Sequence, residues 1–147
     1  MIIKSLEHLN ILSKRVADQL SKNDFVYLIG EIGVGKTTFT RNLINYLQNK
    51  EGLKTTEVLS PTFNLLYEYD LNNYKIMHYD LYRVKEEKEL VNLGLFSDMQ
   101  NSIKIIEWPD LIKTPLSDKL EIHMSYGKKE HEREIKFIGT GKWQNFK

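Results

Sequence analysis

Gly30-Glu31-Ile32-Gly33-Val34-Gly35-Lys36-Thr37 fits the pattern G-x-x-x-x-G-K-[ST] at every fixed position. Each of those positions has a chemical reason. Glycines let backbone N–H groups turn inward into a concave nest for phosphate oxygens. A helix starting at the lysine aims its first N–H groups and its positive dipole end at the same anion. Lys36 reaches the β- and γ-phosphates as a mobile point charge. The Thr37 hydroxyl is a hard oxygen ligand suited to Mg²⁺. The chemistry expected here is binding of a nucleotide's phosphate chain with Mg²⁺, with Ile32, Gly33, Val34, Gly35, Lys36, Thr37 and Thr38 as the contacting residues.

Such a loop needs a carboxylate near the metal, at the end of a neighbouring parallel strand. Two apolar runs end in acids: Ile103-Lys104-Ile105-Ile106-Glu107 and Lys75-Ile76-Met77-His78-Tyr79-Asp80. Glu107 follows a buried-strand pattern, where side chains emerge at the ligand-binding edge of a sheet. Asp80 could be a second Mg²⁺ contact, direct or through water, and could equally orient an attacking water. Glu107 and Asp80 are the candidate catalytic acids, with Thr37 and Glu107 as the candidate metal ligands. His78-x-Asp80 is too little for a transition-metal site in a chain with four histidines, and His78 reads as a packed, hydrogen-bonded imidazole.

The elements that must hold these residues are legible in outline. Phe25 to Ile29 is a short, continuous apolar run ending in Gly30, the signature of a central parallel strand. Phe39, Leu43, Ile44 and Leu47 mark a helix over 36–49, closed near Gly52. Upstream, Ser5 is an N-cap candidate and Leu9, Leu12, Val16 and Leu20 predict an amphipathic helix over 6–21. Phe63, Leu65, Tyr67 and Tyr69 alternate and, with Lys75–Tyr79, predict a hairpin turning at Asn72-Asn73. A helix over 86–93, a buried strand over 102–107 and a second hairpin over 119–126 and 132–138 follow. The tail from Gly139 to Lys147 looks ragged. The expectation is one α/β domain over residues 1–147: a three-layer P-loop NTPase fold with a mostly parallel central sheet and added antiparallel hairpins.

Four segments together narrow the reading: Gly30 to Thr38, Ser60-Pro61-Thr62-Phe63-Asn64-Leu65, His78-Tyr79-Asp80-Leu81-Tyr82-Arg83 and Glu107-Trp108-Pro109. In this order and spacing the chain resembles the TsaE (YjeE) family of small bacterial P-loop ATPases. The resemblance implies an ATP- and Mg²⁺-dependent ATPase that serves N6-threonylcarbamoyladenosine formation at position 37 of tRNA. It implies action on two partner proteins, the threonylcarbamoyl transferase subunit and its dimerisation partner (TsaD- and TsaB-like proteins), with tRNA engaged indirectly. It also implies that Thr37 and Glu107 contact Mg²⁺, that Asp80 is needed for hydrolysis, and that 60–63 is a switch-like loop. Leu6, at the start of the first helix, is the candidate for the adenine end by position. An arginine often found in the family's last hairpin has no assigned counterpart in Lys128-Lys129-Glu130-His131-Glu132-Arg133.

Composition bounds the partners. The 147 residues carry a formal charge of +1 and no cysteine. A neutral chain lacks the excess positive charge on which stand-alone nucleic-acid or membrane-surface binding runs. Thiolate metal sites, disulfides and cysteine nucleophiles are excluded. With no basic and apolar leader pattern and no membrane-length run, a cytoplasmic location is expected. Five tyrosines lie between 67 and 82, read here as sheet packing rather than base-stacking platforms. Rival readings are a small-molecule kinase of nucleoside type and a nucleotide-gated binding module. The first is weakened by the lack of an arginine cluster for a lid. A GTPase is disfavoured because Asn49-Lys50-Glu51-Gly52 fails the guanine-reading pattern at its last position. Arg83 is a candidate for an arginine that completes the site.

Overall fold

The structure is a computed structural model and describes residues 1–96 and 101–147. Among the described residues, seven strands form one sheet: β1 (Ile2–Ile3), β2 (Phe25–Ile29), β3 (Leu66–Asp70), β4 (Lys75–Asp80), β5 (Ser102–Glu107), β6 (Lys119–Tyr126) and β7 (Arg133–Gly139). Their order across the sheet is β1-β7-β6-β2-β5-β4-β3. The middle is parallel, with β2 between β5 and β6 and β4 beside β5. The edges are antiparallel: β3 on β4, β7 on β6 and β1 on β7. This is the mixed α/β sheet with added hairpins that the periodicity predicts.

Strand alternation sends two sets of side chains to opposite faces. Val26, Leu28, Ile76, Ile103, Ile105, Leu120 and Ile122 pack under two helices, α1 (Leu6–Gln19) and α2 (Lys36–Lys50). Phe25, Tyr27, Met77, Tyr79 and Ile106 face the other way, against Leu81, Val84, Leu90 and Leu95. That second layer is thin. Its one α-helix among the described residues, α3 (Glu89–Asn92), is far shorter than the 86–93 helix expected from sequence.

Local chemistry explains the ends of the elements. Ser5 is extended and its hydroxyl accepts from His8 N–H at 3.1 Å, so it caps α1 as expected. Helix α1 ends at Gln19, because Leu20 is already extended. Helix α2 closes where Leu53 N–H reaches back to the Gln48 carbonyl at 2.9 Å across Gly52, whose φ is 73°. Strand β3 begins at Leu66, not at Phe63. Leu65 has a φ of 67° and its N–H donates to the Pro61 carbonyl at 2.7 Å, so 61–65 is a turn and Phe63 points to solvent. The apparent alternation there spanned a turn and a strand.

Two further features were not expected. Ile2 and Ile3 form a short edge strand paired with Glu134 and Arg133. The tail is ordered rather than ragged: Trp143 is 1% exposed, and Phe146 packs edge-on to both Trp143 and Phe137 at 5.3 and 5.0 Å. Of the five tyrosines, Tyr79 and Tyr69 are buried and Tyr67 and Tyr74 pack against the core, while Tyr82 is exposed. Among the described residues no helix is long and apolar enough to cross a membrane.

Candidate active site

Parallel strands β2, β5 and β4 present their carboxyl ends side by side, and the site residues sit there. The turn after β2 makes the loop. Gly33 and Gly35 have φ of 81° and 123°, values that a residue with a Cβ rarely adopts. Gly30 is needed for a different reason, because a Cβ there would run into the Met124 carbonyl on β6. Helix α2 starts at Lys36 with no side-chain cap, so its leading N–H groups have no acceptor from a capping side chain.

Lys36 is buried, and its ammonium donates to the carbonyls of Gly30 and Glu31, the latter at 3.1 Å. Burial lowers its pKa, and the nearby Glu107 and Asp80 carboxylates oppose that shift. The Trp108 ring lies over the same ammonium at 4.6 Å from its centroid and contacts Tyr82 at 4.9 Å. Trp108 is left-handed, with φ 58° and ψ 60°, a conformation costing about 1–3 kcal/mol. Pro109, which follows it, is buried at the start of a short 3-10 turn, and the indole lines the same cavity as the loop.

The two acids are neighbours. Asp80 and Glu107 are register partners on β4 and β5, and both are buried. Asp80 accepts the Thr62 hydroxyl at 3.1 Å on one oxygen and the Tyr82 N–H at 2.9 Å on the other. Thr62 in turn contacts Ser60 through their hydroxyls at 2.8 Å, which ties the 60–63 loop to Asp80. That loop is approached from a fixed point: buried Gln48 on α2 grips Thr56 through two hydrogen bonds, at 2.9 and 3.2 Å. Glu107 Oε2 lies 2.9 Å from His78 Nε2.

A cavity of about 200 Å³ gathers Ile32, Gly33, Gly35, Lys36, Thr37 and Thr38 with Ser60, Thr62, Asp80, Glu107 and Trp108. Most of the residues expected from sequence are thus brought together. Val34 and Leu6 instead line an adjoining cavity of about 280 Å³, shared with Gly33, Gly35, Thr38, Leu9, His131 and Arg133. Arg133 lies at its edge, donating to the Val34 carbonyl at 2.9 Å with its guanidinium 4.6 Å from the Tyr126 ring centroid. Arg133 stands on β7 in the last hairpin, and the sequence did not single it out. Arg83 does not line the central cavity; it stacks on Phe63 at 5.5 Å. A larger cavity, about 830 Å³, runs along β1, β6 and β7 and holds none of Lys36, Thr37, Asp80 or Glu107.

The donor set suits Mg²⁺. Thr37 offers a hydroxyl, and Asp80 and Glu107 offer carboxylates, all of them hard oxygens lining one cavity. So few side chains match an ion that keeps waters and takes other oxygens from phosphate.

The TsaE family profile, described as threonylcarbamoyl adenosine biosynthesis protein TsaE, matches residues 3–135. The chain belongs to the TsaE family. It is 32% identical over 137 residues to the tRNA threonylcarbamoyladenosine biosynthesis protein TsaE of Bacillus subtilis, covering 92% of this chain and 82% of that one. The protein of the same description from Rickettsia conorii is 40% identical over 118 residues, 80% of this chain. The match spans just under two thirds of that relative's own length, 65%. A crystal structure of Bacillus subtilis YdiB superposes with a TM-score of 0.71 at 26% identity, covering 96% of this chain and 84% of YdiB. The TsaE match runs through the loop, both acids and the start of the last strand.

Proposed function

We propose that this TsaE-family chain works as one P-loop ATPase domain that binds Mg-ATP and serves threonylcarbamoyladenosine formation on tRNA. It acts on a partner transferase subunit and that subunit's dimerisation partner, contacts tRNA only through them, and works in the cytoplasm. The observation that carries the reading is the meeting of Lys36, Thr37, Asp80 and Glu107 on one cavity at the carboxyl ends of β2, β4 and β5.

ATP hydrolysis needs positioning and charge stabilisation more than covalent chemistry. The loop amides of 32–38 cradle the phosphates, and Leu6 borders the adjoining cavity for the base end. Lys36 exchanges the carbonyls of Gly30 and Glu31 for phosphate oxygens. Thr37 and Glu107 would hold the metal, and Mg²⁺ bound there would supply neutralisation of phosphate charge. Asp80, fixed by Thr62 and the Tyr82 N–H, keeps lone pairs for orienting a water.

Product analysis with purified chain and Mg-ATP tests this. Release of phosphate without a phosphorylated acceptor is expected. A phosphorylated small molecule would instead make it a kinase.

A further inference from the structure

His78 takes no part in the reading above, yet it is fully buried and bonded to one of the acids that carries it. We propose that His78 is a positioning residue for Glu107: its imidazole holds one carboxylate oxygen so that the other is offered to a divalent cation. This rests on Glu107 being a metal ligand.

The sheet register builds the pair. His78 and Asp80 share a face of β4, and Ile105 and Glu107 share the same face of β5. Asp80 pairs with Glu107 and His78 pairs with Ile105, so His78 stands diagonally one step inside Glu107. From there Nε2 meets Oε2 at 2.9 Å, with both side chains shut off from solvent. A metal-binding carboxylate can only accept, so Nε2 carries the proton. Nδ1 has no hydrogen-bond partner among the described residues. A second buried N–H lacking an acceptor would be costly, so the ring is a one-sided donor aimed at Glu107. Glu107 lines the phosphate cavity, and with Oε2 engaged by the ring its remaining oxygen is the one left for that cavity. A carboxylate ligand with a free rotor would sample both orientations. One held by a buried donor does not, and outer partners of this kind typically set metal affinity by about 10–100-fold.

The test is Mn²⁺ binding, followed by electron paramagnetic resonance at saturating ADP, beside ADP binding in EDTA. His78→Leu keeps the bulk and removes the donor. It is expected to weaken Mn²⁺ by about 10–100-fold while metal-free ADP binding stays at the native level. His78→Gln places an amide N–H close to the imidazole Nε2 and is expected to restore most of the affinity. His78→Asn places its amide near Nδ1 and is not. Native Mn²⁺ affinity in a folded His78→Leu would overturn the proposal. If that variant does not fold, Gln and Asn variants of equal Mn²⁺ affinity would overturn it instead. Glu107→Ala separates the two layers: native Mn²⁺ affinity there would remove Glu107 as a ligand, whatever His78 does.

Discussion

The Lys36 side chain does not stand free. In this structure its ammonium satisfies two loop carbonyls and sits under an indole, with two carboxylates close by. On the proposed function, phosphate binding at this site would therefore be an exchange of partners rather than capture by a free side chain. Lys36→Ala is expected to lose ATP-dependent stabilisation. For an intact site at a hundred times Kd that stabilisation is about 2.7 kcal/mol, and a thermal melt with and without Mg-ATP reads it directly. Retained protection in the variant would refute the phosphate-loop assignment. Glu107→Gln removes a charge while keeping the shape. It is expected to bind ATP and release phosphate slowly, which a phosphate-release assay measures beside nucleotide binding. The lysine, the threonine and both acids were legible in the sequence because a motif or a strand end marks each one. Arg133 was not, because nothing local announces that a hairpin residue will fold back onto the Val34 carbonyl. Nor was the role of Trp108, which depends on a left-handed turn that an Xaa-Pro pair does not specify.

The elements differ in how they are secured. The tail is the clearest case. Trp143 is buried in the main core and Phe146 packs on it, so Trp143→Ala is expected to cost about 3–5 kcal/mol in denaturant unfolding. The sequence hid this because a short 3-10 turn carries no periodicity, and one large side chain does the anchoring. The same reason hid β1, whose two residues are too few to alternate. Strand β6 carries a pH-dependent contribution. Burial pushes the Glu121 carboxyl upward, but hydrogen bonds from Lys119 and His123 outweigh it and the pKa falls below 4.5. A lowered folded-state pKa stabilises above the unfolded value, and that stability disappears as pH falls through the folded value. Glu121→Gln is therefore expected to flatten part of the acid-side decline in Tm below pH 4.5. Thermal melts across the acid range check it.

At the scale of the whole molecule, the site is open on one side. Ile32, Phe63 and Tyr82 are more than half exposed, and Ile32 lines the phosphate cavity itself. Arg83 stacks on Phe63 and does not line that cavity, so the isolated chain does not place this arginine against the phosphates. An arginine supplied to such a site is worth about 10³–10⁵ in rate. Single-turnover hydrolysis is therefore expected to be slow in the isolated chain and fast with its partner proteins, and equal fast rates would sink that model. The order of strands has a consequence for synthesis. Strand β2, which launches the phosphate loop, has as neighbours β5 and β6, both made much later, and Ile2 must wait for Glu134 before it has a partner. A growing chain that has just emerged through Lys36 has a loop but no sheet to brace it and no Glu107. On the proposed function, nucleotide would therefore have no assembled site to template the early stages of folding on the ribosome, because β2 gains its two neighbours only once β5 and β6 have been made.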